Sequence, residues 1–349
     1  MVELHPGRLR CRTVVYVVVI LTLIATVFIS RLSVSRRTPR KKIKEKSRKR
    51  QQERDYIDVT RIEHKVQTQF LEPTDEALNE TLYAPTSRRR RKNHCKVFRG
   101  STEGPKHCVP LKTKYGETPI CIFDPVEDRM ISSYIRDYGT WEPDLVNMTI
   151  DILQANPAMQ FIDLGCNLGV FTLSVAKLGR RVVSVDILSR ALDNLQHSLK
   201  LGNLTENVTL ILNAMSNTRE KVKINLVPDN IGGSHVGQHG DMGQHEELIY
   251  SIIMDDLLEI IDSGEVFVKM DIEGHEQKAL ENSKEFFHKA NVKFLLMEWM
   301  LHKGKPSGDK IIKYLLSNGL LPYLDYNLRE VLPLGRASFW PDNVLWAKR

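Results

Sequence analysis

Phe161-Ile-Asp-Leu-Gly-Cys-Asn-Leu-Gly169 decides how this chain folds. An apolar run ends in Asp163, glycines follow at Gly165 and Gly169, and an amphipathic stretch runs from Val170 to Leu178. That order predicts a strand, a tight turn and a helix. Glycine lacks a Cβ, so a ligand can lie against the backbone of such a turn. The helix that follows aims unpaired N–H groups at it. A second apolar run, Val182 to Val185, ends in Asp186. An acid about 20 residues past the first strand can accept from both hydroxyls of a ribose. Taken alone, each acid is equally an ordinary cap at a strand end. Together the two features predict a nucleotide-type ligand site.

The glycine spacing narrows the ligand. A dinucleotide fingerprint needs Gly-x-Gly-x-x-Gly, and Asn167 stands where its second glycine belongs. A nicotinamide oxidoreductase is therefore the weaker reading. Asp163-x-Gly165-x-x-x-Gly169 fits the S-adenosylmethionine (SAM) site of methyltransferases better.

A later stretch, Lys269-Met-Asp-Ile-Glu-Gly-His-Glu276, carries a second motif about 100 residues downstream of the first. With both in order, residues 158–300 resemble the FkbM-type methyltransferases. The resemblance implies a SAM-dependent O-methyltransferase, of a kind several of whose members act on sugars or polyketide hydroxyls. It implies a Rossmann-like class I sheet over 158–349, with a lead-in over 93–157 that helps cover the pocket. It also implies that the Asp271-x-Glu273-Gly motif belongs to the active site.

Strand and helix patterns alternate through this region. Strands are expected at 159–163, 182–186, 208–212, 266–271 and 292–299, with helices at 170–178, 189–201, 277–283 and 309–317. An antiparallel pair is expected at 221–227 and 249–254, and closing strands at 320–326 and 344–346. Within 93–157, Ile120 to Phe123 reads as a strand, and 132–137 and 142–155 as helices. Alternation of this kind predicts a mostly parallel α/β sheet with helices on both faces and ligands at the carboxyl ends of the strands. Asp163, Asp186, Asp271 and Glu298 all fall at or near such ends.

Methyl transfer to a hydroxyl needs partners for the cofactor and an acceptor for a proton. Asp163 is expected to meet the cofactor's ammonium, directly or through water. The backbone of Gly165, Asn167 and Gly169 is expected to meet its carboxylate, Asp186 its ribose and Asn213 its adenine edge. Asp271 and Glu273 share a face of an extended stretch. As neighbouring carboxylates they can push their pKa values apart and leave one suited to act as a base. The alternative is that Glu273 or Glu276 caps the next helix. His235, in the Gly-rich Ile231-Gly-Gly-Ser-His235, is a further proton acceptor, or else a surface histidine. No metal is expected: His235, His239 and His245 lack a ligand spacing. Cys166 reads as a packing residue rather than a nucleophile.

Charge divides the 349 residues. Residues 1–100 carry a net +14 and the remainder −7. A nucleic-acid-binding catalytic face is disfavoured, because phosphate contacts need clustered Lys and Arg there. Val14 to Ile29 is an uncharged apolar run that, with Thr13 and Ser30, reaches the ~18 residues of a membrane span. No small-residue cleavage site follows it, so an uncleaved signal anchor over 13–30 is expected, after a short cytoplasmic tail over 1–12. Residues 31–92 are charged and aromatic-poor, as in a disordered basic stem. Its Ser87-Arg-Arg-Arg-Arg-Lys92 run is a solvated linker or a convertase cleavage site.

Orientation clues conflict. The flank after the span is the more basic, which points that side to the cytoplasm. Sequons at Asn79, Asn147, Asn203 and Asn207, and Cys95, Cys108 and Cys121, of which two could pair, point it to an oxidising lumen. Of the sequons, Asn207 is expected to start a strand and be inaccessible. Resemblance to anchored glycan-modifying enzymes favours a type II protein with a lumenal, Golgi domain. The expected acceptor is a glycan hydroxyl. The rival is a catalytically inactive, membrane-tethered member of the fold acting in interaction or trafficking. Oligomeric state is left open.

Overall fold

A computed structural model describes residues 94–100, 107–237, 246–262 and 264–348. The expected tail, anchor and stem over 1–92, the sequon Asn79 and the histidines His239 and His245 lie outside these residues. Among the described residues, no helix is long and apolar enough to cross a membrane.

The chain opens with a hairpin of β1 (Cys108–Thr113) and β2 (Gly116–Cys121), then α1 (Ile131–Tyr138) and α2 (Pro143–Ala155). Strand–helix alternation follows: β3 (Gln160–Leu164), α3 (Val170–Lys177), β4 (Val182–Asp186), α4 (Ser189–Leu201) and β5 (Val208–Leu212). Next come β6 (Ala214–Met215), β7 (Lys221–Asn225), β8 (His235–Val236) and β9 (Glu246–Ile252). The chain then adds β10 (Glu265–Met270), α5 (Glu276–Glu281), α6 (Lys284–Lys289) and β11 (Asn291–Glu298). It ends with α7 (Pro306–Ser317), β12 (Leu320–Tyr323) and β13 (Asn343–Lys348).

Seven strands form the central sheet in the order β12-β13-β11-β10-β3-β4-β5. β3, β4, β5, β10 and β11 pair in parallel, and β13 runs antiparallel between β11 and β12. From β3 the chain first builds outward through β4 and β5, then returns to the other side of β3 with β10. Strand order therefore reverses between β3 and β10, and a crevice opens at their carboxyl ends. β6, β9, β7 and β8 form a small second sheet.

Alternation along the strands feeds two cores. Phe161 and Phe267 pack on one face with Ile135, Ile150, Leu173 and Leu195. Ile162, Leu164 and Val268 pack on the other with Leu280, Phe286, Leu315 and Trp346. Asp163 and Lys269 are register partners across β3 and β10. Each lies two residues past a phenylalanine, so both enter the first core.

Three expectations change. Residues 108–113, assigned no element of their own within the lead-in, form β1; Pro110 hides the strand because proline is poor in sheets. The helix expected at 277–283 is α5, which ends at Glu281, and a further helix that was not expected, α6, follows it. Ser283 Oγ donates to the Leu280 carbonyl, and the Phe286 N–H finds its acceptor on distant Asp255 Oδ1 at 2.7 Å. Asn207 is exposed just ahead of β5, as are Asn147 and Asn203, so the inaccessibility expected of it does not hold. Cys108 and Cys121 are disulfide-bonded across the hairpin, while Cys95 is buried near the Asp256 carbonyl.

Candidate active site

At the switch point lies a cavity of about 300 Å³. Its floor is the turn from Gly165 to Gly169, and β4 supplies Val185 and Asp186. The 269–275 segment and Glu298 form the opposite wall, with Met130, Trp141 and Glu142 from the lead-in and Gly232 to Ser234 closing over.

Both glycines sit at left-handed φ, 77° and 85°. A Cβ on Gly165 would stand 1.7 Å from the backbone oxygen of Asp271, and one on Gly169 would stand 2.2 Å from Leu195 Cδ1. Ligand approach was the expected reason for these glycines; protein packing already requires them. Gly165 lets the ends of β3 and β10 touch, and Gly169 lets α4 close on α3.

Asp186 lines the cavity and is 8% exposed. Its Oδ2 accepts the Asn167 N–H at 2.7 Å and its Oδ1 the Leu188 N–H at 2.9 Å. Burial raises its pKa, and these two bonds counter that. Each oxygen keeps a lone pair, the donor set a vicinal diol needs. Asn167 is held at φ 50°, and its buried Oδ1 has no partner.

Asp163 is not among the described residues that line the cavity. It is fully buried, with Oδ2 accepting from Thr172 Oγ1 at 2.7 Å and Oδ1 lying 3.8 Å from Lys269 Nζ. The expected direct contact with the cofactor's ammonium is thus corrected: Asp163 braces Lys269 beneath the floor. Asn213 lines the cavity, but its amide is engaged, Oδ1 with the Lys96 N–H at 2.7 Å and Nδ2 with the Tyr250 carbonyl at 2.9 Å. Each amide atom thus makes one bond and keeps the capacity for a second. His235 also departs from expectation. Ser234 and Val236 line the cavity, whereas His235 does not, and its Nδ1 lies 3.3 Å from the Gly233 carbonyl. The period of two on β8 turns it away.

Sequence reasoning gave Lys269 no role. Its Nζ donates to the Gly165 carbonyl at 2.9 Å and lies 3.3 Å from Asp271 Oδ2. Burial opposes its charge, but Asp271, Asp163 and Glu142 outweigh burial and raise its pKa above the ordinary lysine range. A lysine inside the apolar run Val266 to Met270 was the available signal. Glu142 was missed too; it starts α2 from φ 46°, outside any motif.

Asp271, Glu273 and Glu298 come together on the wall opposite Asp186. Burial, then Asp271 and Glu276, push the Glu273 carboxyl up to about 7. Burial, then Asp271, Glu273 and Glu276, push Glu298 up to about 9, and its buried Oε2 has no partner. Glu273 sits at φ 54°, a strained conformation for a residue with a Cβ. The capping role weighed for Glu273 or Glu276 is not seen: α5 follows His275 without a side-chain cap bond, and Glu276 Oε1 accepts the N–H of Ile272, ahead of the helix, at 2.9 Å while its Oε2 lies 2.7 Å from His302 Nε2. Burial, with Lys278 and His235, drives His275 down to about 4, which keeps it neutral. Cys166 is buried with a thiol raised well above its usual range, mainly by desolvation, as a packing residue should be. Among the described residues, no group of three or more His, Cys, Asp or Glu could hold a metal.

The site suits SAM on its own chemistry: a buried diol acceptor, an orphaned Asn167 oxygen and apolar Ile187, Met215 and Val236 line one cavity. Residues 163–322 match the Methyltransferase FkbM domain. No curated protein matches the chain. Similar solved structures include magnesium protoporphyrin IX methyltransferase from Synechocystis with bound SAM. It is 14% identical, with 59% of this chain and 79% of that one covered and a TM-score of 0.34. Another is an O-methyltransferase from Bacillus cereus in complex with SAH (S-adenosylhomocysteine), 12% identical over 59% of this chain and 81% of that one, TM-score 0.35.

Proposed function

We propose that this chain transfers the methyl group of SAM to a hydroxyl of a glycan or glycoconjugate. One observation carries the reading: a diol-accepting carboxylate, Asp186, and a carboxylate pair, Asp271 and Glu273, line opposite walls of one cavity. Bound SAM would supply an activated methyl group, so the protein's share is positioning and proton removal. Asp186 holds the ribose. The N–H groups of Gly165, Cys166, Asn167 and Gly169 already donate within the protein, contrary to the carboxylate contact expected of the turn. The turn therefore serves as the floor under the amino-acid end, and Lys269 stiffens it through the Gly165 carbonyl. Glu273, raised to about 7, takes the acceptor's proton, and Asp271 keeps that carboxyl from ionising early.

In this reading the domain lies in the Golgi lumen behind a type II anchor at 13–30. The Cys108–Cys121 disulfide and the exposed sequons Asn203 and Asn207 support an oxidising compartment.

Methyl-labelled SAM and a panel of glycosides test the reaction. Label should appear in alkali-stable ethers on the glycan. Label in alkali-labile esters or on amines would overturn it.

A further inference from the structure

We propose that Trp141, Tyr134 and Tyr138 form the acceptor subsite, and that it takes an electrically neutral, polyhydroxylated ring. The proposal rests on the methyl-transfer reading above and assigns its specificity.

The three rings make a ledge leading out of the cavity. Trp141 lines the cavity itself. Tyr134 meets Trp141 edge-on at 5.4 Å and lies 4.5 Å from Tyr138, its neighbour one turn along α1. Aromatic side chains are ordinarily core, and Trp299, Trp340 and Trp346 are buried at 0–3% exposure. Tyr134 and Tyr138 are instead 39% and 58% exposed. Trp141 and Glu142 enter the cavity together at a turn where Glu142 adopts φ 46°. A glutamate held there against its backbone preference marks a position kept for its side chain.

The neighbouring charges select the ligand. Glu142, Asp271, Glu273 and Glu298 line the cavity. Lys269, the one lysine or arginine among the described lining residues, is engaged with the Gly165 carbonyl and Asp271. A sugar ring offers an apolar C–H face to the aromatic rings and hydroxyl donors to the carboxylates. Inside the cavity a sulfate, phosphate or uronic acid meets Asp271 and Glu142, with Glu298 kept protonated, and no lysine or arginine but the engaged Lys269 among the described lining residues.

The test applies the full chain, saturated with SAH, to an array of neutral oligosaccharides, their uronic-acid and sulfated analogues, and amino sugars. Neutral members should be retained, with acidic analogues weaker by about tenfold or more. A Tyr134→Ala/Tyr138→Ala variant should lose about tenfold in retention, with SAH affinity by calorimetry unchanged. Retention led by acidic or amino sugars, retention indifferent to the double variant, or no neutral member retained by protein that binds SAH would each overturn the subsite. Protein that binds no SAH would remove the methyl-transfer reading and the subsite with it.

Discussion

Gly165 and Asp271 touch: a methyl group on the glycine would stand 1.7 Å from the aspartate's backbone oxygen. The two motifs, over 100 residues apart in the chain, are thus one structure. Gly165→Ala combines this clash with an unfavourable φ. It should cost about 2–4 kcal/mol of stability and separate the Asp186 and Asp271 walls. Chemical denaturation checks it; wild-type stability would mean the strand ends part freely.

Lys269 ties the same junction together. Lys269→Met leaves Asp163 buried beside no cation and should destabilise by about 3–5 kcal/mol. Adding Asp163→Asn should recover part of that loss, because the two residues are coupled. Strict additivity in the double-mutant cycle would show that the 3.8 Å approach carries no energy.

Glu273 pairs a strained backbone with a functional carboxylate. Glu273→Gly should stabilise the fold by about 1 kcal/mol, since glycine accepts φ 54° freely. The same change should cut turnover about 100-fold, with SAM affinity kept. Wild-type turnover against pH should rise through about 7, as Glu273 loses its proton. A variant with normal turnover would release Glu273 from base duty.

Glu298 should make stability fall as pH rises. Folding raises its carboxyl from 4.5 to about 9, chiefly by burial, so the folded chain keeps a proton that the unfolded chain releases. Its contribution is fully present below about pH 4.5 and lost as pH climbs toward 9. Melting temperature over that window should slope downward, and less steeply in Glu298→Gln. Equal slopes would contradict the burial.

The parallel strands and the two-wall site were legible because their signals are local: an apolar run, a terminal acid, a glycine. Asp186 and Asp271 line the cavity as those signals implied, whereas Glu273 reaches it from a turn at left-handed φ past β10 rather than from the extended stretch expected. Asp163, Asn213 and His235 were less tractable, since a strand-end acid, an amide and a loop histidine read alike whether they face a ligand or a neighbour. Thr172 and the period of β8 decide Asp163 and His235, while Lys96 and Tyr250 fix how the Asn213 amide lies, and none announces its partner in sequence. α6 was hidden for the same reason: Asp255, 31 residues away, accepts its Phe286 N–H.

Calorimetric titration of SAM tests the central claim most directly. The wild-type chain should bind one equivalent, and Asp186→Ala should bind about 10–100-fold more weakly, because two ribose hydroxyls lose their acceptor. No heat from the wild type at millimolar cofactor, or equal affinity in the variant, would contradict the account.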